Sequence, residues 1–207
     1  MTPEASKQER IQRASTKAGD YEELVEVFAP LADYLAVNIS SPNTPGLRRL
    51  QERDFLSALL RRVLARRDEV AVRLGRRTPV LVKLAPDLDD VQLATAVGVI
   101  LESGLDGIIA TNTTVGRAGL AHPLAREEGG LSGAALGERS TRVVARIREL
   151  SGGALPIIGV GGIMGPEDAR AKLDAGATRV QLYNGLVYEG PGLVKRILEG
   201  LAESRNR

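Results

Sequence analysis

The sequence predicts an α/β protein whose parallel sheet is built from five consecutive βα units. Short aliphatic runs such as Pro79–Ala85 (PVLVKLA) and Asp106–Thr111 (DGIIAT) alternate with longer segments of helical periodicity from Asp20 onward. Each of the five runs carries polar residues or glycine at or just past its carboxyl end, while its other positions are mainly apolar. Strand–helix alternation of this kind demands right-handed crossovers between parallel strands.

The elements follow in order. Residues 1–18 (MTPEASKQERIQRASTKA) are polar, with Ile11 their one large aliphatic residue besides Met1, and are read as a disordered or frayed start. Residues 19–207 form the folded domain. Asp20 is the expected N-cap of a first helix burying Leu24, Val25 and Phe28. Tyr34–Ile39 is the first strand, ended by Ser-Ser-Pro. A helix over about Asp54–Arg67 carries Leu56, Leu59, Leu60, Val63 and Leu64 on one stripe, with Arg61, Arg62, Arg66 and Arg67 mostly toward solvent. Pro79–Ala85 is the second strand, and a helix over about Asp90–Glu102 ends at Gly104. Asp106–Thr111 is the third strand, and a Gly-rich loop runs on to about Gly137. The helix Thr141–Leu150 leads to strand Pro156–Val160, the turn GVGGIMGP and a short helix opened by Pro166. Strand Arg179–Tyr183 and a helix over about Leu193–Ala202 complete the chain.

Composition narrows the function classes. The chain is 43% hydrophobic but only 3% aromatic, so its core is Val, Ile, Leu and Ala. A net charge of +2 with no basic, aromatic-interleaved stripe argues against a nucleic-acid partner. With no cysteine, disulfides, thiolate metal sites and a cysteine nucleophile are excluded. The lone His122 lies in the Gly-rich loop without a second ligand nearby, and no metal site is predicted. No apolar run reaches the roughly 20 residues of a membrane helix and no signal peptide is visible, so the chain reads as intracellular and soluble.

The five units average about 35 residues, whereas a (β/α)8 barrel takes about 250 in all. The chain is therefore either a smaller open α/β sheet or the last part of a barrel. In both, sites form at the carboxyl ends of the strands. Those ends carry Asn38, Ser41 and Asn43; Lys83; Thr111, Asn112 and Thr113; Gly161 and Gly162; and Tyr183 and Asn184. In VNISSPNTPGLRRL, Pro42 and Pro45 stiffen the loop around Asn43. The glycine turn followed by a polar strand end is a phosphate-site pattern, where backbone N–H groups converge. Lys83 interrupts a buried strand and so needs a partner or a task. The amides at 38, 43 and 112 offer donors and acceptors suited to a planar ligand such as a pyrimidine or flavin edge.

The blocks VNISSPNTPGLRRLQ, VLVKLAPDL, DGIIATNTT, GGLSG (Gly129–Gly133), PIIGVGG and VQLYNGL resemble the class 2, quinone-dependent dihydroorotate dehydrogenases, over about Asp20–Leu201. That resemblance implies the five C-terminal βα units of a (β/α)8 TIM barrel. It also implies oxidation of dihydroorotate to orotate, with FMN and a quinone acceptor, in pyrimidine (UMP) biosynthesis. Class 2 members use serine as the base where class 1 members use cysteine. Ser41 is then the residue that removes the C5 proton while hydride leaves C6 for the flavin, with Thr44 or water as relay. Asn38 touches both FMN and substrate, and Asn43, Asn112 and Thr113 touch the orotate edge. Lys83 places positive charge beside the flavin. Thr111, Gly133, Gly162, Tyr183 and Asn184 hold FMN, the last three around its phosphate.

Two departures stand out. The family usually has threonine or serine where this chain has Asn184, although an amide can still donate to phosphate. The family's membrane-associating N-terminal helices and first three barrel strands have no counterpart here. The expectation is an incomplete barrel with both edge strands open, completed by a longer protein or by a separate N-terminal fragment. Membrane association, at the cytoplasmic face, would belong to the missing segment. The other function reading is a non-catalytic half-barrel that binds FMN or another phosphate ligand.

Overall fold

The computed structural model describes residues 19–203 except 119, 123, 124 and 126, so the expectation for 1–18 lies outside the described residues. Helix α1 covers 19–28. It is followed by β1 (Leu35–Asn38), a 3-10 turn at Leu47–Gln51, α2 (Arg53–Leu74), β2 (Val80–Leu84), α3 (Asp90–Ser103) and β3 (Gly107–Ala110). A second 3-10 turn (Ala134–Leu136) leads into α4 (Gly137–Leu150), β4 (Ile157–Val160), α5 (Pro166–Asp174), β5 (Arg179–Gln181), α6 (Asn184–Glu189) and α7 (Gly192–Glu203).

All five strands are parallel and stand in the order β1-β2-β3-β4-β5. Right-handed crossovers that never reverse direction leave every connecting helix on one face of the sheet. A doubly wound sheet reverses its order and has helices on both faces. The winding here is that of a barrel wall, which settles the choice that unit length left open.

Side-chain alternation agrees. Val80, Val82, Leu84, Ile108, Ala110 and Ile157 join the helix side chains in the main core. Leu81, Ile109 and Val160 form a separate small cluster on the opposite face. Leu56, Leu60 and Val63 of α2 are fully buried in the main core, each stabilising the fold by about 2 kcal/mol. Helix α3 is stopped at both ends by its own sequence. Asp89 accepts from Gln92 N–H (2.8 Å) and Gln92 accepts in return from Asp89 N–H (3.0 Å), and Gly104 ends the helix at φ 70°.

Several expectations are corrected. Asp20 is already helical, and Val25 of α1 and Ala29 just after it are buried while Leu24 and Phe28 are half exposed. Helix α2 runs seven residues past Arg67, to Leu74, and stops at Gly75 in the left-handed region. Arg67 is not solvated but buried, bonded to Asp106 (2.7 Å) and Asp68 (2.6 Å). Helix α4 begins at Gly137, because the Gly137 backbone packs directly against Gly162. Residues 182–183 fall outside β5, and the six-residue α6, too short to display a helical period, was not foreseen. β1 and β5 are the sheet's edges, as expected for a partial barrel.

Lys172 of α5 is 1% exposed. Its ammonium donates to Gly137 O (2.9 Å) and Thr141 Oγ1 (2.5 Å). Burial pulls its pKa from 10.5 down to about 8, against the opposing pull of Asp168. Between those two pH values the unfolded chain binds more protons than the folded one, so this group makes stability rise with pH over that window. Denaturant unfolding across pH 7.5–10.5 is expected to show the rise in the wild type, and Lys172→Met is expected to lose it.

Candidate active site

The carboxyl ends of β2, β3, β4 and β5 converge on one cavity of about 320 Å³. Lys83, Thr111, Asn112 and Thr113 line it from β2 and β3, and Gly133, Gly162, Tyr183 and Asn184 line it from the later units. Strand register explains Lys83. It follows Leu81 by two residues and pairs with Asn38 across the strands, so both point away from the helices. Lys83 is half-buried, and desolvation lowers its pKa below the usual lysine value. Among the described residues its ammonium has no hydrogen-bond or ion-pair partner. A desolvated cation aimed into a cavity suits a ligand with an electron-rich or anionic edge.

Three strand-end residues are wired together. Asn112 donates from its amide to Asn38 Oδ1 (3.0 Å) and to Ser40 Oγ (3.1 Å), while its own Oδ1 accepts from Thr113 N–H (2.8 Å). Ser40 is fully buried and donates to Asn38 Oδ1 (3.1 Å). Thr111 is buried and bonds the Asn112 carbonyl (2.9 Å). Both amide planes are thereby held before any ligand arrives, which is preorganisation in the plainest sense.

Asn38, Ser41 and Asn43 lie beside the cavity rather than in its lining. The Asn43 N–H donates to Ser41 Oγ (3.3 Å), a local serine turn that leaves the hydroxyl hydrogen available. Thr44 shares the loop but has no hydrogen bond to Ser41 among the described residues. The GGLSG segment is pinned over this loop by an antiparallel bridge between Thr114 and Leu131. A Cβ on Gly130 would sit 1.8 Å from Thr113 Oγ1, and one on Gly129 would sit 3.7 Å from Asn43 Oδ1. The close approach is possible only because residue 130 has no side chain.

At the other end Gly162 has φ 73°, and a Cβ there would lie 2.1 Å from Gly137 Cα. The turn therefore presses its backbone onto Gly137, the first residue of α4, while Gly161 and Gly162 themselves line the cavity. Asn184 accepts from Ser132 Oγ–H (2.6 Å) through Oδ1, and among the described residues its amide nitrogen has no partner. Tyr183 is exposed beside it. His122 is exposed in the Gly-rich loop, apart from these groups.

Sequence reasoning missed the residues that hold this arrangement. Arg48 donates to Ser40 O (3.1 Å), Thr113 O (3.1 Å) and Asp87 (2.9 Å). Asp87 also accepts from the Thr114 hydroxyl and from Val115 N–H (3.0 Å), with Arg139 3.2 Å away. Burial opposes the charge of Asp87, but these donors outweigh it and hold its carboxyl below the usual range. The available signal was an acidic residue three positions after strand β2, in LAPD.

A singly wound parallel wall with its polar groups gathered at the strand ends is part of a (β/α)8 barrel of the enzyme type. The family model described as dihydroorotate dehydrogenase matches residues 5–204, and the chain belongs to that family. Among its relatives, a dihydroorotate dehydrogenase (quinone) of Chelativorans sp. strain BNC1 is 54% identical over 189 residues, 91% of this chain and 52% of the relative. Another, from Anaeromyxobacter sp. strain Fw109-5, is 56% identical over 186 residues, 89% of this chain and 50% of the relative. The crystal structure of DHODH from Eimeria tenella in complex with ferulenol superposes with a TM-score of 0.87 at 36% identity, over 91% of this chain and 54% of that one. The chain thus spans about half the length of the curated relatives it matches.

Proposed function

We propose that this chain carries the flavin-facing and orotate-facing residues of a quinone-dependent dihydroorotate dehydrogenase, which oxidises (S)-dihydroorotate to orotate in pyrimidine biosynthesis. The observation that carries the reading is the Lys83 ammonium, without a hydrogen-bond or ion-pair partner among the described residues, facing a cavity that ends at the Gly162 turn and is flanked by two fixed amides. These residues fit FMN: a cation for the ring edge, and glycine N–H groups with the Asn184 amide for the phosphate. When bound, FMN would accept the hydride equivalent released by the substrate.

The chain's own residues do the rest. Ser41 takes the C5 proton, and because a serine hydroxyl is a weak base it must pass its own proton on through Thr44 or water. Asn38, Asn43, Asn112 and Thr113 orient the planar pyrimidine. Lys83 supplies positive charge where electron density accumulates, and Thr111, Gly133, Gly162, Tyr183 and Asn184 seat the cofactor. The strands that would pair with β1 and β5 would come from the rest of a longer chain or from a complementing fragment. The quinone site and peripheral attachment to the cytoplasmic face of the membrane would belong to that other part. Among the described residues, no helix is long and apolar enough to cross a membrane.

The competing reading, a half-barrel that binds FMN without catalysis, is favoured by the two unpaired sheet edges. Titration with FMN, followed by anaerobic addition of dihydroorotate, separates the two. Tight binding with bleaching of the flavin absorbance supports the enzyme, and binding without bleaching supports the module. No binding overturns both readings for this chain alone. Ser41→Ala is expected to slow bleaching by roughly 10²–10⁴-fold while leaving FMN affinity unchanged.

A further inference from the structure

We infer that Arg48, braced by Asp87, is a positioning residue that sets the spacing between the Ser41 loop and the Asn112–Thr113 loop, and through it the affinity for the pyrimidine ligand. The identity of that ligand rests on the dihydroorotate dehydrogenase reading; the bracket itself rests on geometry alone. One guanidinium spans both loops. Its Nε donates to the carbonyl of Ser40, the residue joined to Ser41, and its Nη2 donates to the carbonyl of Thr113, both at 3.1 Å. Its Nη1 is fixed by Asp87 at 2.9 Å.

Asp87 is itself immobilised. It takes the Thr114 hydroxyl and the Val115 N–H (3.0 Å) from the third strand-end loop, and Arg139 approaches from α4 at 3.2 Å while donating to Pro86 O (2.9 Å). The side chains of Arg48 and Asp87 are 25% and 14% exposed, so water competes weakly for these bonds. Neither residue lines the cavity. Three strand ends are therefore tied at one planar fork behind the site. A lysine keeps the charge but cannot reach three acceptors set at the angles of a guanidinium. The bracket acts on the pyrimidine end, where Ser41, Asn43, Asn112 and Thr113 lie, and makes no contact with the Gly162 turn.

Arg48→Lys and Asp87→Asn test this in the full chain, by hydrogen exchange of backbone amides and by affinities for orotate and FMN. In both variants exchange of the amides at 40, 41, 43, 44 and 112–115 is expected to quicken about tenfold, with little change in the α2 and α3 helices. Orotate affinity is expected to fall about tenfold while FMN affinity stays within about twofold, a split that general destabilisation would not produce. Unchanged exchange in both loops would overturn the bracket. A parallel loss of both ligands would overturn its selective action on the pyrimidine end. A wild-type chain that holds no FMN would count against the flavin reading, and the exchange pattern then decides the bracket by itself.

Discussion

Gly162→Ala is expected to destabilise the chain by roughly 3 kcal/mol and to abolish binding of a phosphate-bearing ligand at the cavity. Two independent costs add. At φ 73° the backbone is in the left-handed region, which costs a residue with a Cβ about 1–2 kcal/mol. The new methyl would also stand 2.1 Å from Gly137 Cα and 2.3 Å from Gly137 N, both backbone atoms that cannot rotate aside. Forcing them apart costs about 1–3 kcal/mol as overpacking. It also displaces the Gly161–Gly162 backbone, whose N–H groups are the ones proposed to receive the anion. Urea unfolding and FMN titration measure the two effects separately. A variant with wild-type stability and affinity would show that the turn relaxes without loss.

Arg67→Ala is expected to destabilise by about 3 kcal/mol without altering the cavity. Arg67 and Asp106 have side chains 4% and 16% exposed, joined at 2.7 Å between α2 and the entry to β3. Removing one partner of a buried pair costs about 3–5 kcal/mol, because the other charge is left desolvated. The lower end applies, since Asp106 keeps Arg77 (2.6 Å) and the Val80 N–H (2.8 Å). For a chain of this size the change corresponds to a fall in Tm of roughly 6–12 °C. Asp106 lies at the amino end of its strand and the cavity at the carboxyl ends, so FMN affinity is expected to hold. Thermal unfolding with a parallel FMN titration checks both halves of the prediction; loss of affinity at unchanged Tm would refute it.

The strand-to-helix rhythm and several of the cavity-lining residues (Lys83, Thr111, Asn112, Thr113, Gly133, Gly162, Tyr183 and Asn184) were legible because both are local, whereas Asn38, Ser41 and Asn43 stand outside the lining. Strands announce themselves as aliphatic runs, and in a parallel α/β sheet the polar residues after them share one side of the molecule whatever the loops do. Lys83 was conspicuous because nothing local explains a lysine inside VLVKL. Helix starts and short elements were less legible. Glycine is a poor helix former, so Gly137 gave no sign of opening α4; its place there is decided by contact with Gly162. Arg67 looked like one of several surface arginines on α2, and only the approach of Asp106, 39 residues later, buries it.

By itself, then, the sequence determined five parallel βα units, their order along the chain, the chemistry gathered at the strand ends and the family those blocks resemble. Local periodicity and residue type suffice for each of these. Only the tertiary structure decided that the sheet is wound in one direction with its helices on one face. It alone decided that Asn38, Ser40 and Asn112 share hydrogen bonds across two strands, and that Arg48 and Asp87 hold the loops from behind. Those facts depend on which distant side chains meet, and a meeting of that kind leaves no period or composition for a single sequence to display.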